Sequence, residues 1–319
     1  MSTFKWGFVG AGMIAKKALY PAISKSNVGE IYAVASRDAD RAMTISPKGL
    51  IYTDYDQMFA DPAVDGVYIS LPNSLHLPLA IKAMKAGKHV LCEKPLGMNA
   101  AEVREAIDVS EKMGVLFVEA SWNRWHPRTQ RIQEIMKSGA LGKISRIRTC
   151  FTFDGIDNSN IRLDKSLGGG MVYDLGPYSI AAPLWIMGFP EVTNLSVQSV
   201  LSSTGVDETV RANFNLGTTR CETVVSCVIP VTHWLIIEGE SGSIRTGGND
   251  SFFSHNAPSS LELDINGKQS IEHFEPCDPY QLMADAFARK AQGGSDWVMP
   301  LSESLRFSQL FDSIFAQIN

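Results

Sequence analysis

The stretch FKWGFVGAGMIA, residues 4–15, decides the fold of the first part of the chain. It joins an apolar run, Lys5 to Val9, to a GxGxxA pattern and to a helix predicted over Met13 to Ser26. In such a unit the first glycine permits a tight turn, the second lets a pyrophosphate approach the backbone, and the small third residue packs helix against strand. The helix amino end also attracts phosphate. A simple tight turn is the alternative to a dinucleotide site, whose predicted residues are Gly10, Gly12, Met13 and Ile14.

Outward from this stretch, strand-like and helix-like segments alternate over roughly the first 120 residues. The strands are continuous apolar runs, as burial on both faces requires. This alternation predicts a doubly wound parallel sheet, a Rossmann domain over residues 1–121. The further predicted strands are Ile31 to Ser36, Gly66 to Leu71, His89 to Cys92 and Val115 to Ala120. The further predicted helices are His76 to Ala86 and one that Asn99 caps and Gly114 ends.

After Trp122 the pattern changes to polar and apolar residues in alternation, which is typical of strands with one open face. The predicted second domain, 122–319, is α+β with a large, mostly antiparallel open sheet. Its last helix, 302–318, is a candidate to pack back on the first domain. The predicted strands are Lys143 to Phe153, Glu191 to Leu201, Thr209 to Leu216, Cys221 to Ile229, Trp234 to Glu238, Leu261 to Ile265 and Ile271 to Phe274. The predicted helices are Pro127 to Ser138, Gly170 to Met187, Tyr280 to Gln292 and Ser302 to Ile318.

Composition narrows the class of partner. The 319 residues carry a formal net charge of -5, which disfavours nucleic acid or an anionic membrane. No apolar stretch approaches the roughly 20 residues of a membrane span, and the amino terminus lacks the pattern of a signal peptide, so a cytoplasmic protein is expected. Five cysteines are an odd number and form no CxxC pair, so neither disulfides nor a metal site is predicted.

The end of the second predicted strand bears on the choice of dinucleotide. It reads Ala-Ser-Arg-Asp over residues 35–38. Ser36 and Arg37 suit the 2'-phosphate of NADP, because the hydroxyl hydrogen-bonds phosphate and the guanidinium pairs with it. Asp38 is late for the ribose of NAD and is alternatively the N-cap of the next helix. The pattern favours NADP(H) and leaves NAD(H) possible.

Several motifs in a fixed order together resemble one family. They are Pro-Asn-x-x-His at residues 72–76, Gly-Lys-His-Val-Leu-Cys-Glu-Lys-Pro at 87–95, Gly-Gly-Gly-x-x-x-Asp-x-Gly-x-Tyr at 168–178, and Gly-Val-Asp-Glu-Thr at 205–209. With the fingerprint they resemble the Gfo/Idh/MocA oxidoreductases over essentially the whole chain. Tyrosine rather than histidine at position 178 is similar to the dihydrodiol dehydrogenase and glucose-fructose oxidoreductase branches. The resemblance implies hydride transfer between a nicotinamide cofactor and a carbinol or carbonyl of a sugar, cyclitol or dihydrodiol.

The resemblance implies a catalytic set of Lys94, Asp174 and Tyr178. Hydride transfer at a hydroxyl carbon needs a group that handles the hydroxyl proton, and Lys94 lies at the end of a predicted central strand, where such sheets bind ligands. Glu93 is expected to orient it, and the bond before Pro95 is implied to be cis. Asp174 and Tyr178, four apart in a predicted helix, are expected to share one face. Surface and core roles are the alternatives.

Further site residues follow from the same resemblance. Packing or surface roles are the alternatives for Arg124, His126 and Arg162, and capping its own helix is the alternative for His76. Around the cofactor the predicted residues are Leu71, Pro72, Asn73, His76, Glu93 and Lys94. The predicted substrate contacts are Asp174, Tyr178, Arg162, and Arg124 and His126 at the expected domain junction.

Two other functions stay open on this scaffold. One is a dinucleotide-sensing regulator without turnover, which would not need the proton-handling groups. The other is a cofactor-dependent glycosidase. A homodimer or homotetramer through the open face of the second sheet is expected, as the family resemblance implies.

Overall fold

The computed structural model describes residues 3–46, 49–157, 159–246, 252 and 254–318. The chain divides into two compact units. The first comprises Met1–Trp122 and Asp278–Leu305, and the second comprises Asn123–Cys277 and Arg306–Asn319. The predicted domains, 1–121 and 122–319, differ from these units because the segment 278–305 returns to the first one.

The first unit contains a six-stranded sheet in which every strand pair is parallel. Its order is β3-β2-β1-β4-β5-β6, so the direction of winding reverses between β1 and β4. The predicted doubly wound sheet is confirmed; its two-residue strand β3 is too short to show a pattern in the sequence. The bounds are β1 Phe4–Val9, β2 Gly29–Ala35, β3 Ile51–Tyr52, β4 Gly66–Ile69, β5 His89–Cys92 and β6 Phe117–Glu119.

The second unit contains an eight-stranded sheet of order β14-β13-β12-β11-β7-β10-β9-β8. Strands β7 and β10 pair in parallel, and the other neighbouring pairs described are antiparallel. The predicted mostly antiparallel sheet is confirmed, and β12 was missed. The bounds are β7 Ile144–Thr152, β8 Val192–Leu201, β9 Asp207–Leu216, β10 Thr219–Ser226, β11 Thr232–Gly239, β12 Gly242–Thr246, β13 Ser259–Ile265 and β14 Lys268–Phe274.

The helices are mostly short, and the first α-helix follows a π-helical turn over Ala15–Leu19. Within the described residues, no helix is long and apolar enough to cross a membrane. The bounds are α1 Tyr20–Ser24, α2 Ala39–Met43, α3 Tyr55–Ala60, α4 His76–Lys85, α5 Ala100–Met113, α6 Pro127–Ser138, α7 Met171–Asp174, α8 Ala182–Met187, α9 Pro279–Ala291 and α10 Leu301–Phe315.

Aromatic packing explains why α9 belongs to the first unit. Its Phe287 is fully buried and lies 5.2 Å from the ring of Trp6 on β1, which also contacts Phe4 at 4.8 Å between ring centroids. At the start of α10, Leu301 and Leu305 pack against the core of the same unit. The first unit therefore includes α9 and the start of α10.

The helix predicted over Gly170 to Met187 is wrong, because two short helices, α7 and α8, occupy that segment. Pro177 has no N–H to donate. Just before it, the Gly176 N–H bonds the carbonyl of Met171, five residues back, at 3.1 Å. Asp174 is thus the last residue of α7 and Tyr178 lies in the turns beyond it, so the helical spacing argued for this pair does not hold.

Candidate functional site

The glycine turn after β1 has the geometry that a dinucleotide requires. Gly10 has φ of +93°, and a Cβ there would lie 2.7 Å from Leu71 Cδ2. Among the residues that the structure describes, a Cβ on Gly12 would meet only the Ser70 carbonyl oxygen, at 3.4 Å. The backbone at Gly12 is therefore open to a bulky ligand, whereas Gly10 is enclosed. Met13, at the start of the helical segment, is 61% exposed beside this opening. The residues present fit a bound dinucleotide pyrophosphate.

The segment after β4 lies next to this turn because β4 is the neighbour of β1. Leu71, Pro72 and Asn73 are half-buried, and a single 3-10 turn over Asn73–Leu75 leads into α4. The order of the sheet reverses at β1 and β4, where open sheets of this kind bind ligands. The structure therefore gathers the glycine turn and this segment at the carboxyl ends of neighbouring strands.

His76 is buried and bridges two backbone segments. Its Nδ1 lies 2.8 Å from the Pro95 carbonyl oxygen, and its Nε2 lies 2.8 Å from that of Leu71. Burial lowers the pKa of this ring, and the charge of Lys94 lowers it further. The described contacts of His76 tie the segment after β4 to the segment after β5. A direct contact with cofactor stays a prediction.

The end of β2 assigns a local role to Asp38. Its side chain accepts a hydrogen bond from the Arg41 N–H at 2.9 Å and caps α2, which is the alternative that the sequence left open. Ser36 is buried, and its hydroxyl oxygen accepts from the Asp38 N–H at 3.1 Å. Arg37 is exposed. Of these three side chains, the carboxylate is therefore engaged by the helix start, and the guanidinium extends into solvent.

Glu93 and Lys94 directly follow β5, as predicted, and the bond between Lys94 and Pro95 is cis. Glu93 is only 6% exposed. Its Oε1 accepts from the hydroxyl of the buried Tyr68 at 2.6 Å, and its Oε2 accepts from the Lys94 N–H at 3.3 Å. Lys94 itself is half-buried. Glu93 is thus held from β4 and fixes the backbone at the lysine.

Glu119, which sequence reasoning missed, is a second buried acid near Lys94. It ends β6 and is 2% exposed, and among the described residues its Oε2 has no hydrogen-bond partner. Burial raises the pKa of Glu119 to about 7, and the Ser304 hydroxyl, the Leu96 N–H and the charge of Lys94 oppose that rise. The signal in the sequence was one acid inside the apolar run of residues 115–120.

In the second unit, Arg162 and Asp174 form an ion pair with 2.6 Å between Nε and Oδ2. The charge of Asp174 raises the pKa of Arg162, and Tyr178 adds to that shift. The Tyr178 side chain is buried, and its ring lies 5.7 Å from that of Phe151. The structure therefore brings Asp174, Tyr178 and Arg162 together, although not through the helical spacing that was predicted.

Arg124 and His126 are both buried. The Arg124 guanidinium lies over the ring of Trp185, 5.1 Å from its centroid. The His126 side chain accepts from the Arg128 N–H at 3.0 Å and caps α6. Burial, followed by the charge of Arg128, lowers the pKa of His126 to about 4, so the ring is neutral at pH 7. These contacts are of the packing kind that the sequence left open, and substrate contact stays a prediction.

Across the part of the chain that the structure describes, no group of three His, Cys, Asp or Glu side chains is placed to hold a metal ion. Four cysteines, Cys92, Cys150, Cys221 and Cys227, are buried, and none of these four forms a disulfide.

The fold and these residues agree with the family models that match the chain. Residues 4–121 match an oxidoreductase family with an NAD-binding Rossmann fold, and residues 129–245 match the GFO/IDH/MocA C-terminal domain. The chain therefore belongs to the Gfo/Idh/MocA oxidoreductase family.

Two curated relatives and two solved structures are similar over nearly the full length. An uncharacterised oxidoreductase of Rhizobium meliloti is 33% identical, covering 98% of this chain and 96% of the relative. A D-xylose 1-dehydrogenase (NADP(+)) of Haloferax volcanii is also 33% identical, covering 97% and 96%. A 3-ketoreductase from Actinomadura kijaniata, solved with NADP and TDP-benzene, has a TM-score of 0.91 at 22% identity, covering 99% and 98%. An aldose-aldose oxidoreductase from Caulobacter crescentus has a TM-score of 0.89 at 20% identity, with the same coverage.

A further curated relative is similar over a shorter part of the chain. A trans-1,2-dihydrobenzene-1,2-diol dehydrogenase of Mus musculus is 35% identical over 210 residues, which is 65% of this chain and 63% of the relative.

Proposed function

We propose that this protein is an NADP-dependent oxidoreductase that acts on a CH–OH group of a sugar, cyclitol or dihydrodiol. One observation carries the proposal: Lys94 lies at the carboxyl end of β5, in the same sheet as the open glycine turn, with the buried Glu93 carboxylate fixed behind it. A lysine in that place suits proton handling beside a dinucleotide. The names of the relatives support the substrate class, since they include a sugar dehydrogenase and dihydrodiol dehydrogenases.

The preference for NADP rests on the end of β2. Asp38 caps α2 and is therefore engaged away from a ribose, while Ser36 and the exposed Arg37 remain to contact a 2'-phosphate. Arginine suits such a phosphate because its planar fork matches two oxygens at once. One relative is named as NADP(+)-dependent, and one structural neighbour was solved with NADP, which agrees with this preference.

In the proposed mechanism, the turn at Gly10 and Gly12 would hold a nicotinamide dinucleotide, which when bound would supply or accept the hydride. Lys94 and Tyr178 handle the proton of the substrate hydroxyl, and the positive charge of Lys94 stabilises the charge that develops on oxygen. Glu93 holds the Lys94 backbone. Asp174 and Arg162 bind substrate hydroxyls, for which a paired carboxylate and guanidinium offer both acceptors and donors.

We also propose that the protein acts in the cytoplasm as a homodimer or homotetramer through the open face of the second sheet. Thiols outside disulfides are typical of a reducing compartment, and the four buried cysteines form no disulfide. On the sheet, the central strand β7 presents Arg146 and Arg148, paired with Glu222 and Glu238. Sedimentation velocity tests the assembly, and a monomer at micromolar concentration would contradict it.

The decisive test is a panel of sugars, ketosugars and dihydrodiols with NADP and NAD in both directions. We expect turnover of at least one compound, with NADP preferred. NADPH binding without turnover would favour the regulator, and release of free sugar without a net change in NADPH absorbance would favour a glycosidase. D-xylose and trans-1,2-dihydrobenzene-1,2-diol are the first compounds to test, following the relatives.

Two variants test the assigned residues. Lys94→Ala should lower turnover by roughly 10²–10⁴-fold while NADPH still binds; Lys85→Ala, exposed at the end of α4, is the control.

Arg37→Ala should weaken NADP binding about tenfold more than NAD binding, with the exposed Arg41→Ala as control. Equal losses for the two dinucleotides would remove Arg37 from recognition of the phosphate.

A further inference from the structure

Asp207 is a buried carboxylate that the proposed mechanism does not use. It starts β9 and is 3% exposed. Its Oδ2 accepts a hydrogen bond from the Val172 N–H at 2.7 Å, 35 positions earlier in the chain. Val172 is the second residue of α7, so Asp207 supplies from a distant strand the acceptor that a helix start otherwise finds locally.

Gly170, which precedes α7, lies so close to this carboxylate that there is no room for a side chain. Its φ is +117°, and a Cβ there would lie 2.1 Å from Asp207 Oδ1. On the other side, its N–H donates to the Arg162 carbonyl oxygen at 2.8 Å. The neighbouring Gly169 is equally tight, because a Cβ there would lie 2.5 Å from the same Arg162 oxygen. The glycine turn is thus enclosed between Arg162 and Asp207.

The other end of α7 carries the proposed substrate contacts. Asp174 is the last residue of this four-residue helix, and its N–H donates to the Gly170 carbonyl oxygen at 3.1 Å. Its side chain pairs with Arg162. A helix of one turn has little stability of its own, so its position depends on the groups that hold its ends. Asp207 holds the first end, and the Arg162 and Asp174 pair holds the second.

We infer that Asp207 is a positioning residue that sets the place of α7 and, through it, of the Asp174 and Arg162 pair. The inference rests on the proposed function, in which that pair contacts the substrate. An acid suits the position because an ionised carboxylate accepts hydrogen bonds without presenting a donor, whereas an amide would turn an N–H₂ group toward backbone N–H groups.

The charge state of Asp207 agrees with this role. Burial raises the pKa of Asp207 to about 6, and hydrogen bonds from the backbone N–H groups of Val172, Asp207 and Met171 oppose the rise. The group is therefore mainly ionised at pH 7.5, where its carboxylate is in the accepting form.

The test compares Asp207→Asn with wild type by hydrogen exchange and by kinetics. In the free protein at pH 7.5, we expect amide exchange over residues 171–175 to rise about tenfold or more, with exchange in the middle of β9 and β10 unchanged. With the panel compound of highest kcat/KM, we expect kcat/KM to fall about tenfold, mainly through KM, while the Kd for NADPH is unchanged. In the Asp174→Asn background, Asp207→Asn should cost less than about threefold.

Controls and contrary outcomes separate the two hypotheses. Asp264→Asn is the matched control, because Asp264 also accepts a backbone N–H, from Gly267 at 3.1 Å, in the second unit. If Asp207→Asn does not fold, Gly170→Ala decides, since its methyl group displaces the native carboxylate. Unchanged exchange, or loosened α7 with unchanged KM, would overturn the positioning role alone. Absence of any turnover by wild type, with exchange altered as expected, would overturn the proposed function and leave the structural role of Asp207 supported.

Discussion

Replacing Glu119 by glutamine tests whether the side chain of Glu119, buried at the end of β6, is protonated and uncharged in the folded protein. The pKa of Glu119 is raised from 4.5 to about 7 by burial at the end of β6. The native state therefore keeps this proton to about pH 7, whereas the unfolded chain releases it near pH 4.5. The stability that this group contributes is fully present below about pH 4.5 and is lost as pH rises to about 7.

The size of the effect follows from the two pKa values. Each pH unit between them is worth about 1.4 kcal/mol, so ionising the buried group above pH 7 costs on the order of 3 kcal/mol. Glutamine keeps an acceptor for the Leu96 N–H and carries no ionisable proton. The variant should therefore lack this pH dependence and should be more stable than wild type at pH 8, by up to about 3 kcal/mol.

The assay is urea unfolding of both proteins between pH 4.5 and 8, combined with hydrogen exchange of amides in β5 and β6. The difference between the proteins isolates Glu119, because every other titrating group is shared. Glu111→Gln, the same change at an exposed position on α5, should show no such difference. If wild type and Glu119→Gln keep a constant stability difference across this range, the carboxyl group does not titrate near pH 7 and the reasoning is refuted.

Two further predictions concern the cofactor turn and the support of Glu93. Gly12→Ala should keep its melting temperature within about 2 °C of wild type yet bind NADPH about tenfold more weakly. Gly10→Ala should also lose about 1–3 kcal/mol of stability, because its methyl group would clash with Leu71 and alanine is strained at φ of +93°. Calorimetry and NADPH titration check both, and equal stability of the two variants would count against the enclosed turn. Tyr68→Phe should cost about 1.5–3 kcal/mol in unfolding free energy, because the buried Glu93 carboxylate loses its 2.6 Å donor; no measurable loss would show that Glu93 is satisfied without it.

Local pattern was enough to predict most of the first unit. Continuous apolar strands, helix periodicity and the GxGxxA turn are properties of neighbouring residues, and the sheet that they predicted is the one observed. The cap at Asn99, whose side chain accepts from the Glu102 N–H at 2.9 Å, was predicted for the same reason. Two short strands were not predicted. β3 has two residues and β12 has five beginning at a glycine, so neither shows an alternating pattern of polar and apolar residues.

Residues distant in sequence were harder to predict. The helix expected over 170–187 was wrong because the spacing of apolar residues does not show where the helical hydrogen bonds end. Here Pro177 has no N–H to donate, and the Gly176 N–H bonds the carbonyl five residues back. The predicted domains did not place α9 in the first unit. That placement depends on a ring contact between Phe287 and Trp6, which are far apart in the sequence. Among the site residues, the buried state of His76 and the capping role of His126 likewise depend on their surroundings.

The sequence by itself determined the doubly wound sheet, the dinucleotide turn, the place of Lys94 at a strand end and the family. These features are encoded by adjacent residues, since spacing and residue type are enough to specify a strand, a turn or a cap. Only the tertiary structure decided that Asp174 pairs with Arg162, that Asp207 holds α7, and that burial raises the pKa of Glu119. Such properties arise where the fold removes water and brings distant groups within hydrogen-bonding distance, which no local pattern records.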